Sequence, residues 1–216
     1  NVEHKLPILK LHWHSLGDYF LSIVKIENQK LIYVHQLSKY RSQAPFKKSN
    51  IISDAIFHPT KPHMFIVGIR HVKIYDLRTQ NVLYKLMSGM NLITASLAHP
   101  SGDHFIVGSE DQKIGWFDID LNKKPYRVLK LHNSSIRSID VHPIYPIMAC
   151  SSESPTVTVV HARTYDDLTT NPLIVPVKIL NPKRFDNGAV TVACRFHPIT
   201  PSLFSCDEAG VIRLFE

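Results

Sequence analysis

Short apolar segments with the alternation of β-strands, separated by polar turns, run along the whole chain. The pattern is clearest at 97–119, where the apolar run Phe105–Gly108 is followed by a polar turn. A second run, Ile114–Ile119, then carries Trp116 and Phe117. Short apolar runs bounded by turn residues predict β-strands, and helical periodicity is almost absent. The pattern therefore predicts an all-β fold.

A phrase made of an apolar residue, His and Pro recurs along the chain, each time before a turn and a new apolar run. Its members are His58-Pro59, His99-Pro100, His142-Pro143 and His197-Pro198, and His14 stands in the same place without a proline. The five histidines lie 41–55 residues apart. A period of about 40–45 residues is typical of one blade of a WD-repeat β-propeller. We therefore expect five repeats, at about 1–40, 47–83, 84–124, 125–163 and 173–216.

The five repeats predict a single propeller that spans 1–216. The last repeat has only three apolar segments, as in rings whose final blade takes its outer strand from another stretch of chain. We therefore expect the C-terminal part of a seven-bladed ring. The longest interval predicts an insertion near 163–174 and 181–189, and the proline-bounded run 173–180 predicts an edge strand. Asp166 and Asp167 are a possible carboxylate pair, although aspartates in loops more often cap turns.

Histidine is abundant, with 13 in the chain, and histidine is a common metal ligand. The His-Pro histidines fall one to a repeat, however, so a radial fold holds them too far apart for one metal ion. We expect them to end strands and fix turns, and we predict no metal, cofactor or catalytic residue. No glycine-rich phosphate loop or GxSxG motif occurs, and no apolar run approaches the length of a membrane span. Cys150, Cys194 and Cys206 sit in apolar runs, which predicts buried thiols.

Two segments outside the repeat pattern are basic, in a chain of net charge +7. The connector 35–49 joins the first two repeats, and 120–132 follows the third repeat. Their candidate contact residues are Lys39, Tyr40, Arg41, Phe46, Lys47 and Lys48 in the connector, and Lys123, Lys124 and Arg127 in the second segment. Cations interleaved with aromatic residues suit a phosphate backbone with stacked bases. A solvated loop whose aromatic residues pack on the rim is the alternative for the connector, and a charged outer strand is the alternative for 120–132.

Several phrases resemble one family. HQLSK, RSQ, PFKKS, FHPTKP, HPSGDHFIVGS, NPLIVPVKIL and the terminal IRLF are similar to the C-terminal propeller of the eukaryotic Bop/Erb (block of proliferation) ribosome-biogenesis proteins. The resemblance covers essentially all 216 residues. It implies a seven-bladed, non-enzymatic docking platform in the nucleus and nucleolus that contacts precursor rRNA of the large subunit in the pre-60S particle. The implied partners are a second WD-repeat protein and a pescadillo-type protein, the latter contacted mainly by a segment N-terminal to the propeller. Neither a membrane nor a small-molecule substrate is implied.

Two features depart from the usual WD repeat. Residues 110–112 (Glu-Asp-Gln) stand where an Asp-Gly turn is usual. His132 is in the place of the histidine that such blades share, but Ser154 and Val160 occupy the expected Asp and Trp positions, which predicts blades that depend more on packing. Two other functions stay open. A WD-repeat adaptor would read peptides or degrons through aromatic and arginine residues around the channel, and an enzyme is motivated only by the number of histidines.

Overall fold

The computed structural model describes residues 6–47, 49, 51–165, 170, 172–181 and 189–216. In this described part the regular secondary structure is entirely β, so the predicted fold class is confirmed. The nineteen strands are β1 (Ile8–Trp13), β2 (Tyr19–Ile26), β3 (Gln29–Gln36), β4 (Arg41–Gln43), β5 (Asp54–Phe57), β6 (His63–Val67), β7 (His71–Asp76), β8 (Asn81–Met87), β9 (Ile93–Ala98), β10 (His104–Ser109), β11 (Ile114–Asp118), β12 (Arg127–Leu129), β13 (Ile136–Val141), β14 (Ile147–Ser152), β15 (Val157–Arg163), β16 (Leu173–Leu180), β17 (Thr191–Phe196), β18 (Leu203–Asp207) and β19 (Ile212–Phe215). No helix in the described residues is long and apolar enough to cross a membrane.

The strands form five antiparallel meanders, which we number as blades 1 to 5 in chain order. Blade 1 is β1–β4, blade 2 is β5–β8, blade 3 is β9–β12, blade 4 is β13–β16 and blade 5 is β17–β19. In a meander, the turn from the first strand to the second and the turn from the third to the fourth leave the sheet at the same end. We call the side of the propeller where these turns lie the turn face.

The outermost strand of a blade belongs with the three strands before it. The sequence placed residues 84–87 in the third repeat, but β8 pairs with β7 through Asp76 and Asn81 and so completes blade 2. Likewise β16, placed in the fifth repeat, pairs with β15 through Arg163 and Leu173. Both pairings follow because a fourth strand that returns from a turn pairs most readily with the strand it has just left. As the sequence predicted, β16 is an edge strand.

Four apolar clusters join successive blades. The interface of blades 1 and 2 buries Leu21 and Ile32 against Phe57 and Met64, and the other three interfaces are built in the same way. Trp116, in β11, is the largest fully buried side chain. Side chains of this size each contribute about 1.5–3 kcal/mol when buried. The fold is therefore held mainly by packing between neighbouring sheets.

The His-Pro motifs lie in the first turn of four blades, where each histidine ring holds the turn. Nδ1 of His58 accepts hydrogen bonds from the backbone N–H groups of Thr60 (3.2 Å) and Lys61 (3.0 Å). His142 accepts two such bonds in the same way, at 3.0 Å each. His197 also accepts two such bonds, whereas His99 accepts one, from the N–H of Ser101 at 3.2 Å. Pro59, Pro100, Pro143 and Pro198 each follow the capping ring. Within the described ranges, no three His, Cys, Asp or Glu side chains are grouped so that they could hold a metal ion.

Polar side chains on the innermost strands tie three blades together. Asp54 of blade 2 accepts a hydrogen bond from Lys10 Nζ (2.7 Å) and pairs with His12 Nε2 (2.9 Å) in blade 1. Ser96 of blade 3 donates to the same carboxylate at 3.3 Å. Burial acts to raise the pKa of Asp54, but the hydrogen bond from His12 and the charge of Lys10 leave it below its ordinary value. This carboxylate is therefore ionised, and it is hydrogen-bonded to side chains of both neighbouring blades.

Blade 4 replaces the expected aspartate with a chain of hydroxyl groups. His132 Nδ1 and Ser152 Oγ are 3.0 Å apart, and Ser152 Oγ is 3.0 Å from Ser154 Oγ. Ser154 Oγ in turn lies 3.0 Å from Thr156 Oγ1. Neutral hydroxyl groups therefore make the hydrogen bonds in blade 4 that an aspartate would make at position 154.

Each blade packs against the next one along the chain, but in the described residues no comparable packing joins blade 5 to blade 1. The outward faces of these two blades expose large apolar side chains. Trp13 and Leu11 are 63% and 54% exposed on blade 1, and Ile212 and Leu214 are 73% and 51% exposed on blade 5. The five blades therefore form an open arc with an apolar face at each end.

Candidate nucleic-acid interface

The connector is more ordered than its composition indicates, because its first part completes blade 1. Gln36 ends β3, and β4 (Arg41–Gln43) pairs with β3 through the partners Gln36 and Arg41. The turn between these strands is built on Asp18. Its carboxylate accepts bonds from Ser38 N (2.8 Å), Ser38 Oγ (2.9 Å) and Gln36 Nε2 (3.0 Å). The backbone N–H of Ser38, followed by the amide of Gln36, holds the pKa of Asp18 below its ordinary value.

This turn presents an exposed aromatic ring between two cations. Tyr40 is 97% exposed and has a φ of 48°, in the left-handed region. Its N–H donates to Leu37 O at 3.1 Å, which fixes the turn. Lys39 and Arg41 flank it and are both exposed. With its amide oxygen toward Arg41, Gln43 accepts from the guanidinium Nε (2.7 Å) and Nη2 (2.8 Å). A ring and a guanidinium group are therefore held at the surface in one short segment.

A groove of about 500 Å³ opens beside this turn between blades 1 and 2, and we call it the basic groove. Four of its lining residues carry positive charge: Lys39, Arg41, Lys61 and Arg78. None of the described residues that line it is Asp or Glu. Gln36, Gln80, Tyr19 and Tyr75 add hydrogen-bonding and aromatic groups. Cations gathered around one groove without a carboxylate among them create a positive potential that attracts phosphate groups.

Three carboxylates lie near the basic groove, and each bonds to a residue that lines it: Asp18 to Gln36, Asp76 to Arg78 and Asp120 to Lys61. Asp76 accepts from the backbone N–H of Arg78 (2.8 Å) and from Thr79 Oγ1 (2.9 Å), so it shapes the turn that carries Arg78. Asp120 lies 3.7 Å from Lys61 Nζ, with both side chains well exposed to solvent. An exposed pair at that distance is weak and leaves Lys61 able to meet an anion.

The second basic segment lies on the same face, at the outer turn of blade 3. Lys123, Lys124 and Arg127 are exposed there. Lys123 O accepts from the N–H of Met87 in blade 2 at 2.7 Å, so the segment rests on the neighbouring blade. Asp120, at the start of this segment, lies 3.7 Å from Lys61, so the segment also approaches the blade 2 side of the basic groove.

Phe46 and Lys47 of the connector do not line the basic groove. Phe46 is half-buried and packs its ring edge-on against Tyr75, with ring centres 4.6 Å apart. Lys47 is exposed and lines a second groove rather than the basic groove. Lys48, Asp166 and Asp167 lie outside the described residues.

Two cations of the basic groove were not predicted from the sequence. Lys61 lies in a His-Pro turn and Arg78 follows the third strand of blade 2. Aligning the outer turns of the two blades does not identify Arg78, because the phrase LRT at 77–79 matches LSK at 37–39 with Arg78 opposite Ser38 and Thr79 opposite Lys39.

Comparison with known proteins gives similar sequences with consistent names. No protein-family model matches the chain. It is 41% identical over 216 residues to a ribosome biogenesis protein BOP1 homolog of Chlamydomonas reinhardtii, covering 99% of this chain and 27% of that protein. It is 42% identical to the ribosome biogenesis protein ERB1 of Candida albicans, covering 99% of this chain and 25% of that protein. It is 40% identical to the ribosome biogenesis protein BOP1 of Rattus norvegicus, covering 99% of this chain and 29% of that protein.

The chain thus spans between a quarter and a third of the length of these relatives. The similarity extends over almost the whole chain, including both basic segments. The expected family resemblance is confirmed: over 99% of its length the chain is similar to BOP1/ERB1 ribosome biogenesis proteins.

Proposed function

We propose that this propeller is a scaffold without catalytic activity that works in biogenesis of the large ribosomal subunit. It contacts single-stranded precursor rRNA through the basic groove. The observation that carries the proposal is the groove itself: four cations from two blades, with an exposed tyrosine beside them, in a chain about 40% identical to BOP1/ERB1 proteins. Cations that track a backbone and aromatic rings that stack on bases are the usual means of holding single-stranded RNA.

In this proposal the residues of the two basic segments and of blade 2 bind different parts of the RNA. Arg41 and Arg78 bind phosphate oxygens, since a guanidinium group can donate two parallel hydrogen bonds to one phosphate. Tyr40 stacks on a base, and Lys61 adds positive charge from the blade 2 wall of the groove. Lys123, Lys124 and Arg127 extend the path of the RNA over blade 3.

The proposal also covers partners and location. A second WD-repeat protein docks on the propeller, and a pescadillo-type protein joins the same assembly through a segment N-terminal to the propeller. The assembly acts on the pre-60S particle in the nucleolus. Support comes from the names of the relatives, each of which is a ribosome biogenesis protein.

The test is RNA binding by the complete protein, measured by fluorescence anisotropy with a labelled single-stranded fragment of precursor rRNA. The double variant Arg41→Glu, Arg78→Glu should weaken binding at least tenfold. It should also flatten the dependence of log affinity on log salt by about 0.7 for each phosphate group that is no longer neutralised. Lys178→Glu, on an outer strand that lines neither groove, is the matched control and should bind as the parent does. An unchanged salt dependence in the double variant would show that the basic groove does not touch RNA.

Affinity purification from nuclear extract tests the assembly. A second WD-repeat protein should be recovered together with precursor rRNA of the large subunit. Recovery of ubiquitin-ligase subunits without ribosomal precursors would instead favour the adaptor that reads degrons.

A further inference from the structure

A second groove, of about 480 Å³, lies on the other side of the Phe46–Tyr75 contact, and we call it the connector groove. One wall comes from the connector and the other from β6, β7 and β8 of blade 2. Apolar side chains dominate it: Phe46, Ile51, Ile66 and Val82. Ile51 and Val82 are 46% and 48% exposed, so the groove presents aliphatic surface to solvent.

The walls of the connector groove are fixed by backbone bonds. Ser49 N donates to Lys30 O at 3.0 Å, and Lys30 N donates to Ser49 O at 2.9 Å. Ser53 N donates to Val67 O at 2.8 Å, and this bond joins the segment that follows the connector to β6. A groove held in this way exists before any ligand arrives, which lowers the entropy that binding must overcome.

Cations surround this apolar surface. Lys47 and Lys73 both line the groove and are exposed, and Lys85 lies directly across from Lys73 in the β7–β8 pair. His71 also lines it, and burial, with Lys85 and Lys73 nearby, lowers the pKa of its ring. None of the described lining residues is Asp or Glu. The connector groove therefore combines an aliphatic floor with an uncompensated positive rim.

We propose that the connector groove binds a peptide segment of a partner protein in which aliphatic residues alternate with acidic residues. An aliphatic side chain rests on Ile51, Ile66 and Val82, and carboxylates on either side of it meet Lys47 and Lys73. The volume of about 480 Å³ lies within the 300–1,000 Å³ typical of binding pockets. Complementary charge around an apolar contact gives such a site both its orientation and its selectivity.

The chemistry of the groove favours a peptide over RNA. Single-stranded RNA is held by aromatic rings with free faces. Here the two aromatic rings pack on each other, since Phe46 meets Tyr75 edge-on at 4.6 Å, and the exposed apolar surface is aliphatic. The connector groove shares Pro45 and Tyr75 with the basic groove but none of its cations, so the inference goes beyond the proposed function and can be tested independently of it.

The experiment measures fluorescence polarisation of labelled octapeptides, acetylated and amidated, with the complete protein. The probe alternates glutamate and leucine. One comparison peptide alternates lysine and leucine, and another alternates glutamate and serine. The probe should bind, and each comparison peptide should bind at least tenfold more weakly, because each lacks one of the two required features.

Variants then locate the site. Lys73→Glu and Val82→Asp should each weaken binding of the probe at least tenfold. Lys178→Glu, matched to Lys73→Glu in charge, should not. Both groove positions are exposed, and melting curves that match the parent show that the variants are folded. Arg78→Glu should weaken RNA binding while it leaves peptide binding unchanged.

Several outcomes would overturn the inference. The probe could fail to bind, the lysine–leucine peptide could bind as well as the probe, or Lys73→Glu could leave peptide affinity intact. RNA binding that is lost in Lys73→Glu, with peptide binding unaltered, would assign the groove to RNA instead. If the parent and every variant fail to bind RNA while the parent binds the probe peptide as expected, the proposed RNA contact is wrong. The inference about the connector groove would then still hold.

Discussion

At the scale of single residues, the His-Pro histidines work only while the ring is uncharged. Nδ1 of His58 accepts two backbone hydrogen bonds, and its ring stacks on Phe65 with centres 5.6 Å apart. A protonated ring has no acceptor. Burial, with Lys61 and His63 nearby, lowers the pKa of His58 from 6.5 to about 4. Burial, with His104 nearby, has the same effect on the pKa of His99, again to about 4.

We therefore predict that the propeller loses stability in mild acid. Because the folded-state pKa of these rings lies below the unfolded value, the unfolded chain takes up protons that the folded chain does not. Their contribution is complete above pH 6.5 and is lost as the pH falls toward about 4. The measurement is the free energy of unfolding in urea at a series of pH values across this window.

The variant His58→Gln separates this effect from general acid denaturation. It should be less stable than the parent near neutral pH, and its stability should fall less steeply with pH, since one titrating ring is gone. His161→Gln, at a half-buried histidine of β15 outside the His-Pro motifs, is measured beside it as the control for the loss of a histidine. A slope in His58→Gln as steep as that of the parent would contradict the assignment.

At the scale of strands and blades, Gly108 and Gly115 each let a neighbouring side chain approach the backbone closely. Replacing these two glycines should lower the stability of the fold by different amounts. A Cβ on Gly108 in β10 would lie 2.5 Å from Cγ2 and 2.9 Å from Cβ of Ile136 in blade 4. A Cβ on Gly115 in β11 would lie 2.6 Å from Cε of Met90. Met90 can move the end of a flexible side chain, whereas the branched Ile136 is fixed near the backbone.

Gly108→Ala should therefore destabilise the propeller by about 1–3 kcal/mol, the usual effect of overpacking, and Gly115→Ala by clearly less. Urea denaturation of both variants under the same conditions measures the difference. Equal effects would mean that blades 3 and 4 can separate slightly, and that packing at this interface is not as rigid as the short distances indicate.

The apolar runs of the sequence predict the three inner strands of a blade and the outer strands at 82–87, 126–132 and 173–180, but they do not predict the outer strand β4. Inner strands are buried on both faces, as in β10 and β14, and so appear as continuous apolar runs. Outer strands are exposed and often short: β4 and β12 have three residues each, and no residue of β4 is apolar. The connector therefore looked like a loop, although Arg41–Gln43 completes blade 1.

The basic groove could be predicted only in part, for a similar reason. Lys39 and Arg41 form a local cluster with an aromatic residue between them. Lys61 and Arg78 are isolated cations in the sequence, and they join the groove only because blade 2 packs beside blade 1. That placement depends on how the apolar faces of two sheets fit together, which no single stretch of sequence records.

At the scale of the whole molecule, the two uncovered ends of the five-bladed arc support the prediction that it is part of a seven-bladed ring. Both end faces expose large apolar side chains, among them Leu11 and Trp13 on blade 1 and Ile212 and Leu214 on blade 5. Contiguous apolar surface of this kind is uncommon on soluble domains unless something covers it. The chain covers only 25–27% of two of its relatives, which leaves ample polypeptide in them for two more blades. We therefore propose that further blades cover both faces in the complete protein.

Thiol labelling of the complete protein tests this closure. One cysteine is introduced by Leu214→Cys or Leu11→Cys in a background where Cys206 and every accessible cysteine outside this chain are replaced by serine, because Cys150 and Cys194 are already buried. If further blades cover the faces, both introduced thiols should react with a maleimide reagent at least tenfold more slowly than the control Leu121→Cys. Leu121 is 65% exposed, in the outer turn of blade 3, comparable with Leu11 at 54% and Leu214 at 51%. Reaction at the control rate at both positions would show that the arc stays open, and would remove the support for a seven-bladed ring.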